Sequence, residues 1–149
     1  MFTESQQKLI TDATDLIRNS LTNNSEQFTD PNTVKNFFAL LLGQEVKEVF
    51  AVMFLDSSLR LIKDEIMFRG TVAFCGVHVR EIAERALMHR ATSIIIGHNH
   101  PTGQAKVSDS DVDITKRIKA ALDCLSIDTL DHIVVASECL SMNELGMMD

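Results

Sequence analysis

Thr92-Ser93-Ile94-Ile95-Ile96-Gly97-His98-Asn99-His100-Pro101-Thr102-Gly103 is the stretch that decides the fold, because an apolar run turns there into a polar, histidine-bearing exit. Thr92 to Gly97 reads as a short strand buried on both faces, at the centre of a sheet. The polar segment from His98 to Val107 leaves its carboxyl end. Ser108 then starts a helix with Val112, Thr115, Ile118, Leu122 and Leu125 inward. In α/β sheets, ligands commonly bind just beyond the carboxyl ends of strands.

Working outward, Val49 to Leu55 is another continuous apolar run. Its aromatic and branched content, with the turn Asp56-Ser57-Ser58 behind it, makes it a buried strand. Leu59 to Phe68 pairs back on it and Gly70 closes the hairpin. Val79, Ile82, Ala83, Ala86 and Leu87 predict an amphipathic helix, and Asp131 to Ala136 a further buried strand. Strands alternating with helices predict an α/β fold, a mixed β-sheet sandwiched by helices. Towards the N-terminus, Leu9, Ala13, Leu16 and Ile17 share one face of a helix over residues 4–21. Thr22-Asn23-Asn24-Ser25-Glu26 is a polar boundary loop. Asp30-Pro31 caps a second helix whose stripe is Val34, Phe37, Phe38 and Leu41, and Gly43 ends it. Residues 1–29 are thus expected to be a helical appendage and 30–149 the main domain.

Composition narrows the function. The 149 residues, 45% hydrophobic, suit one core. No apolar run approaches the roughly 20 residues needed to cross a bilayer, so no membrane partner is expected. Met1-Phe2-Thr3-Glu4-Ser5 lacks the start of a signal peptide, which makes the cytoplasm the expected compartment. Cys75, Cys124 and Cys139 are odd in number and far apart, and are expected to be buried free thiols. Fourteen basic against twenty-one acidic residues give a net charge of -7, with the bases scattered among acids. Charge-driven affinity for duplex DNA is disfavoured, although a local nucleic-acid contact stays open.

The chemistry concentrates between His98 and Asp111. Residues two apart in extended chain project to one side, and Pro101 keeps His100 out of helix. Two imidazoles on one side make half of a metal site; Asn99 points the other way and is placed to tie down the loop. Ser108-x-x-Asp111 reads as a capping box, which competes with metal binding for the Asp111 carboxylate. A Pro-Thr-Gly turn folding the loop back would bring Asp111 to His98 and His100. Three such ligands leave a position for water, as a catalytic zinc requires, and zinc brings that water's pKa to about 7.

His98-x-His100-Pro101 followed by Ser108-x-x-Asp111 resembles the JAMM motif of the JAB/MPN metalloproteases, in the form found in RadC-like proteins. Phe50 to Asp56, Phe68-Arg69-Gly70-Thr71, Val77-His78-Val79-Arg80-Glu81 and Leu130-Asp131-His132-Ile133 extend the resemblance over about residues 30–145. Thr102 stands where that family usually has Ser, and Val79 and Val107 where it has Pro. The resemblance implies a three-layer, deaminase-like fold, zinc on His98, His100 and Asp111, and Ser108 stabilising an oxyanion. It also implies a glutamate acting as general acid/base, matched here by Glu48 with Glu45 as competitor, and an association with DNA repair. Of the other histidines, His78 is expected to bond at a helix start, His132 to be a satisfied strand residue, and His89 to face solvent.

The leading expectation is a zinc-dependent hydrolase, a metallopeptidase or isopeptidase acting on a peptide or protein; a homodimer stays open. The alternatives are a metal-dependent nuclease or phosphodiesterase and a non-catalytic zinc-containing interaction module. An iron oxygenase with two histidines and one carboxylate is a further one.

Overall fold

The structure, a computed structural model, describes residues 1–23, 30–70 and 76–149. Among these, five strands form one mixed sheet in the order β2-β1-β3-β4-β5. The strands are β1 (Val49–Leu55), β2 (Leu61–Arg69), β3 (Ser93–Asn99), β4 (Asp128–Val135) and β5 (Cys139–Ser141). β3 and β4 run parallel and the other pairs are antiparallel. The helices are α1 (Glu4–Asn23), α2 (Pro31–Leu42), α3 (Val79–Met88) and α4 (Asp109–Asp123). The decisive stretch is therefore the middle strand, and the strand itself runs on through His98 and Asn99.

Strand alternation divides the interior in two. Phe50, Val52, Phe54, Ile94 and Ile96 face α3 and α4, packing on Ile82, Ala86, Ile114, Ile118 and Leu122. Val49, Ala51, Met53, Leu55 and Ile95 face α1 and α2, packing on Leu21, Val34, Phe37, Phe38 and Leu42. Successive residues of a strand point to opposite faces, so a strand apolar at every position needs both layers. Phe37, Phe38, Phe50 and Phe54 are fully buried, each worth about 1.5–3 kcal/mol relative to exposure. Gly97 lets β3 approach α2: a Cβ there would sit 2.5 Å from the Phe38 ring. α2 begins as expected, with the Asp30 side chain accepting from Asn32 N–H and Pro31 in the first turn. Gly43 ends it in an ordinary right-handed conformation rather than a left-handed one.

Several expectations are corrected. Leu9 and Leu16 are exposed; α1 is rotated so that Thr14 and Leu21 are buried and Ile10 and Ile17 half-buried. α1 is anchored by Arg18, whose Nε and a terminal nitrogen reach the Asp64 carboxylate at 2.7 and 3.0 Å. Thr22 and Asn23 close α1, and the rest of the expected boundary loop lies outside the described residues. On α4, Leu125 falls beyond the helix and is exposed, while Ile114 takes an inward position. Cys124 is exposed and Cys139 half-buried, so neither is a buried thiol; Cys75 and Thr71 lie outside the described residues. β5, too short for a periodic signal, was not expected. No helix among the described residues is long and apolar enough to cross a membrane.

Candidate metal centre

His98 lies on the face of β3 that looks at α4, its ring beside Phe50 at 6.4 Å between centroids. His100 follows two residues later, beyond the strand, its backbone N–H bonded to Val135 O at 2.7 Å. Gly103 N–H bonds back to His100 O at 2.9 Å, closing a turn whose last residue has φ +78° and so favours glycine. That turn returns the chain to Ser108, the N-cap of α4.

The capping box is present, and it does not compete with the cluster. Ser108 Oγ accepts from Asp111 N–H at 3.1 Å, and Asp111 Oδ2 accepts from Ser108 N–H at 2.8 Å. Asp111 Oδ1 makes no hydrogen bond and lies buried 3.1 Å from His98 Nε2. Oδ2 caps the helix and also lies nearest His100, while Oδ1 faces His98.

His98 Nε2 lies 3.0 Å from His100 Nε2, and His100 Nε2 lies 3.3 Å from Asp111 Oδ2. His100 Nδ1 faces the Gln104 carbonyl at 3.0 Å, an acceptor only, so that nitrogen carries the ring proton and Nε2 presents a lone pair. A tetrahedral ion bound at about 2.0–2.1 Å has its ligand atoms about 3.3 Å apart. Three acceptor groups crowded at such distances, two of them wholly buried, fit a cation. His98, His100 and Asp111 are thus a group that could hold a metal. An open cleft of about 320 Å³ lined by His100, Gln104, Lys106, Val107, Ser108 and Asp109 adjoins it.

Glu48 lies within electrostatic reach of His100 and Asp111. Phe50 pairs with His98 across β1 and β3, so Glu48, two residues earlier, continues the same face towards His100. Burial raises the Glu48 carboxyl, His100 opposes that rise and Asp111 adds to it. Glu45, the competitor, instead places its carboxylate 3.3 Å from Arg69. Asn99 does tie the chain down: Oδ1 accepts from Val49 N–H at 2.7 Å, and Nδ2 donates to Lys47 O and Glu45 O at 3.0 and 3.3 Å. It thereby holds the segment that carries Glu48.

The remaining histidines differ from expectation in two cases. His78 makes no side-chain capping bond; its carbonyl starts α3 and its ring packs edge-on against Phe68. His89 does not face solvent but lies half-buried, 4.9 Å from the Phe54 ring centroid. His132 is fully buried on β4 with both ring nitrogens hydrogen-bonded, and burial, with His98 alongside, drives its pKa far down. A histidine among Ile133, Val134 and Val135 signals a buried partner, but its neighbour across the sheet is not visible in the chain.

A mixed sheet between two helical layers, with His-x-His and Ser-x-x-Asp converging at the end of its middle strand, defines a JAB-like α/β domain with a metal-capable centre. Residues 28–147 match the family model described as a RadC-like JAB domain, and the chain belongs to that family. It is 46% identical over 120 residues to a UPF0758 protein of Pseudomonas syringae pv. tomato, covering 80% of this chain and 54% of the relative. UPF0758 proteins of Variovorax paradoxus and Pseudoalteromonas translucida are 42% and 43% identical over 122 residues, 81% of this chain and 54% of each. The chain spans about half the length of these curated relatives.

Proposed function

We propose that this domain is a zinc-dependent hydrolase of the JAMM type that cleaves amide or isopeptide bonds. The observation that carries the proposal is the convergence of His98, His100 and Asp111 beside a half-buried Glu48. Zinc held by those three side chains would supply Lewis acidity and lower the pKa of a bound water to about 7.

The chain's own groups divide the rest of the work. Glu48 takes the proton of the attacking water and passes it to the leaving amine, and burial suits its carboxyl to both steps by raising its pKa. Ser108 spends an oxygen lone pair on the Asp111 N–H, which leaves its hydroxyl hydrogen to donate to the developing oxyanion. The adjoining cleft gives an extended peptide access to His100 and Ser108. A peptide or protein suits a surface of net charge -7 better than duplex DNA.

The test is a peptide-library cleavage profile of the zinc-loaded protein beside Glu48→Gln. Chelator-sensitive cleavage that falls about 10²–10⁴-fold in the variant is expected. Equal rates for the two proteins would remove Glu48 from the mechanism. Plasmid nicking without peptide cleavage would replace the peptidase by a nuclease.

A further inference from the structure

A carbonyl oxygen can only accept, and that simple fact propagates through three side chains into the metal-capable cluster. Thr115 Oγ1 lies 2.6 Å from Asp111 O, one turn back along α4. The only proton able to lie between these oxygens is that of the Thr115 hydroxyl. Met142 Sδ, 3.7 Å from Oγ1, is the weaker acceptor. With its one hydrogen committed, Thr115 Oγ1 can only accept from His132 Nδ1, which stands 2.6 Å away. His132 therefore carries its proton on Nδ1 and turns a lone pair out at Nε2. His98 Nδ1 meets that lone pair at 2.7 Å and must bring the proton. The Nε2 of His98 is left to face His100 and Asp111 with its lone pair.

From this polarity we infer that Thr115 and His132 are positioning residues that hold His98 in the tautomer able to ligate a metal through Nε2. The inference rests on the metal-centre reading above. Reversing any link reverses every link after it. A proton on His132 Nε2 would move the His98 proton to its own Nε2, into the space a cation needs. The chain also closes on itself, because it starts at the backbone of Asp111, whose carboxylate belongs to the same cluster. Histidine ligands commonly have their second nitrogen fixed by a hydrogen bond, and losing such support typically costs 10–100-fold in metal affinity. Here the support is neutral and runs through a second imidazole to a helix backbone.

The test uses the whole chain, ¹⁵N-labelled at histidine. Two-bond ¹H–¹⁵N correlation spectra of the metal-free protein read each ring's tautomer, and competition against a chromophoric chelator reads zinc affinity. Wild type is expected to show Nδ1–H on both His98 and His132. Thr115→Val removes the acceptor for His132 Nδ1–H, moves both rings towards Nε2–H and weakens zinc by about 10–100-fold. Thr115→Ser restores both readouts. Independently, His132→Gln, whose amide oxygen can accept from His98, keeps zinc where His132→Phe loses it. Nε2–H on His98 in wild type overturns the inference without recourse to any variant. So does a folded Thr115→Val with unchanged tautomers and affinity. A wild type with both Nδ1–H tautomers but no affinity for zinc overturns the metal-centre reading and the positioning role with it, and the intact tautomers tell that failure from the first.

Discussion

Replacing Asn99 by alanine strips the segment before β1 of all three hydrogen bonds that the side chain makes to it. Val49 N–H is the expensive loss, because Val49 is 1% exposed and its N–H is bonded to the Asn99 side chain. A buried donor left unsatisfied costs about 1–3 kcal/mol, and each lost bond to the more accessible Lys47 and Glu45 carbonyls about 0.5–1. The sum is about 3 kcal/mol, which lowers the melting temperature of a chain this size by roughly 6–12 °C. Thermal unfolding of the metal-free protein, followed by circular dichroism, isolates this effect from metal binding. In the zinc-loaded protein the loosened segment also carries Glu48, so kcat falls more than KM changes. A melting temperature within about 2 °C of wild type would refute the reasoning, by showing that Val49 N–H finds water or another acceptor.

Gly97→Ala places a Cβ 2.5 Å from the fully buried Phe38 ring and should destabilise by about 1–3 kcal/mol in urea unfolding, with Phe38→Leu as partial rescue. A double-mutant cycle of Arg18→Ala and Asp64→Ala should return a coupling of about 1 kcal/mol, since the pair is bidentate and only partly exposed; a value near zero would mean that packing of Leu21 and its neighbours docks α1 without the ion pair. Asp131 accepts from Ser141 Oγ and two backbone N–H groups, yet burial raises its carboxyl. Its folded pKa lies above the unfolded one, so its favourable contribution is present below the ordinary value of about 3.9 and lost as pH rises through the raised one. Asp131→Asn should therefore gain stability relative to wild type as pH rises from about 3.9 through the raised value, and urea midpoints that stay parallel across that range would contradict it.

Much of the centre is legible in the sequence. The spacing of His98 and His100, the proline behind them and the Ser108-x-x-Asp111 cap follow from local backbone geometry, which neighbouring residues dictate. The strand character of Val49–Leu55 and the central place of the strand holding Ile94, Ile95 and Ile96 follow from unbroken apolar runs, which only a two-layer cover can satisfy. What went astray depended on rotation or solvent access. The apolar residues of α1 fit two adjacent stripes, and only docking on α2 and β2 chose Ile17 and Leu21 over Leu9 and Leu16. His89 at the end of α3 looks exposed until Phe54 of β1 is placed beneath it.

The chain by itself determined which residue types bear the chemistry and the order in which they leave the central strand, because those are matters of local spacing. Tertiary structure alone decided how they work together. It let the Asp111 carboxylate cap the helix and face the histidines at once, brought Glu48 near His100, and put His132 behind His98 across a separation of 34 residues. The physical reason is that cross-strand register and hydrogen-bond polarity are properties of paired segments, and no stretch of one segment encodes its partner.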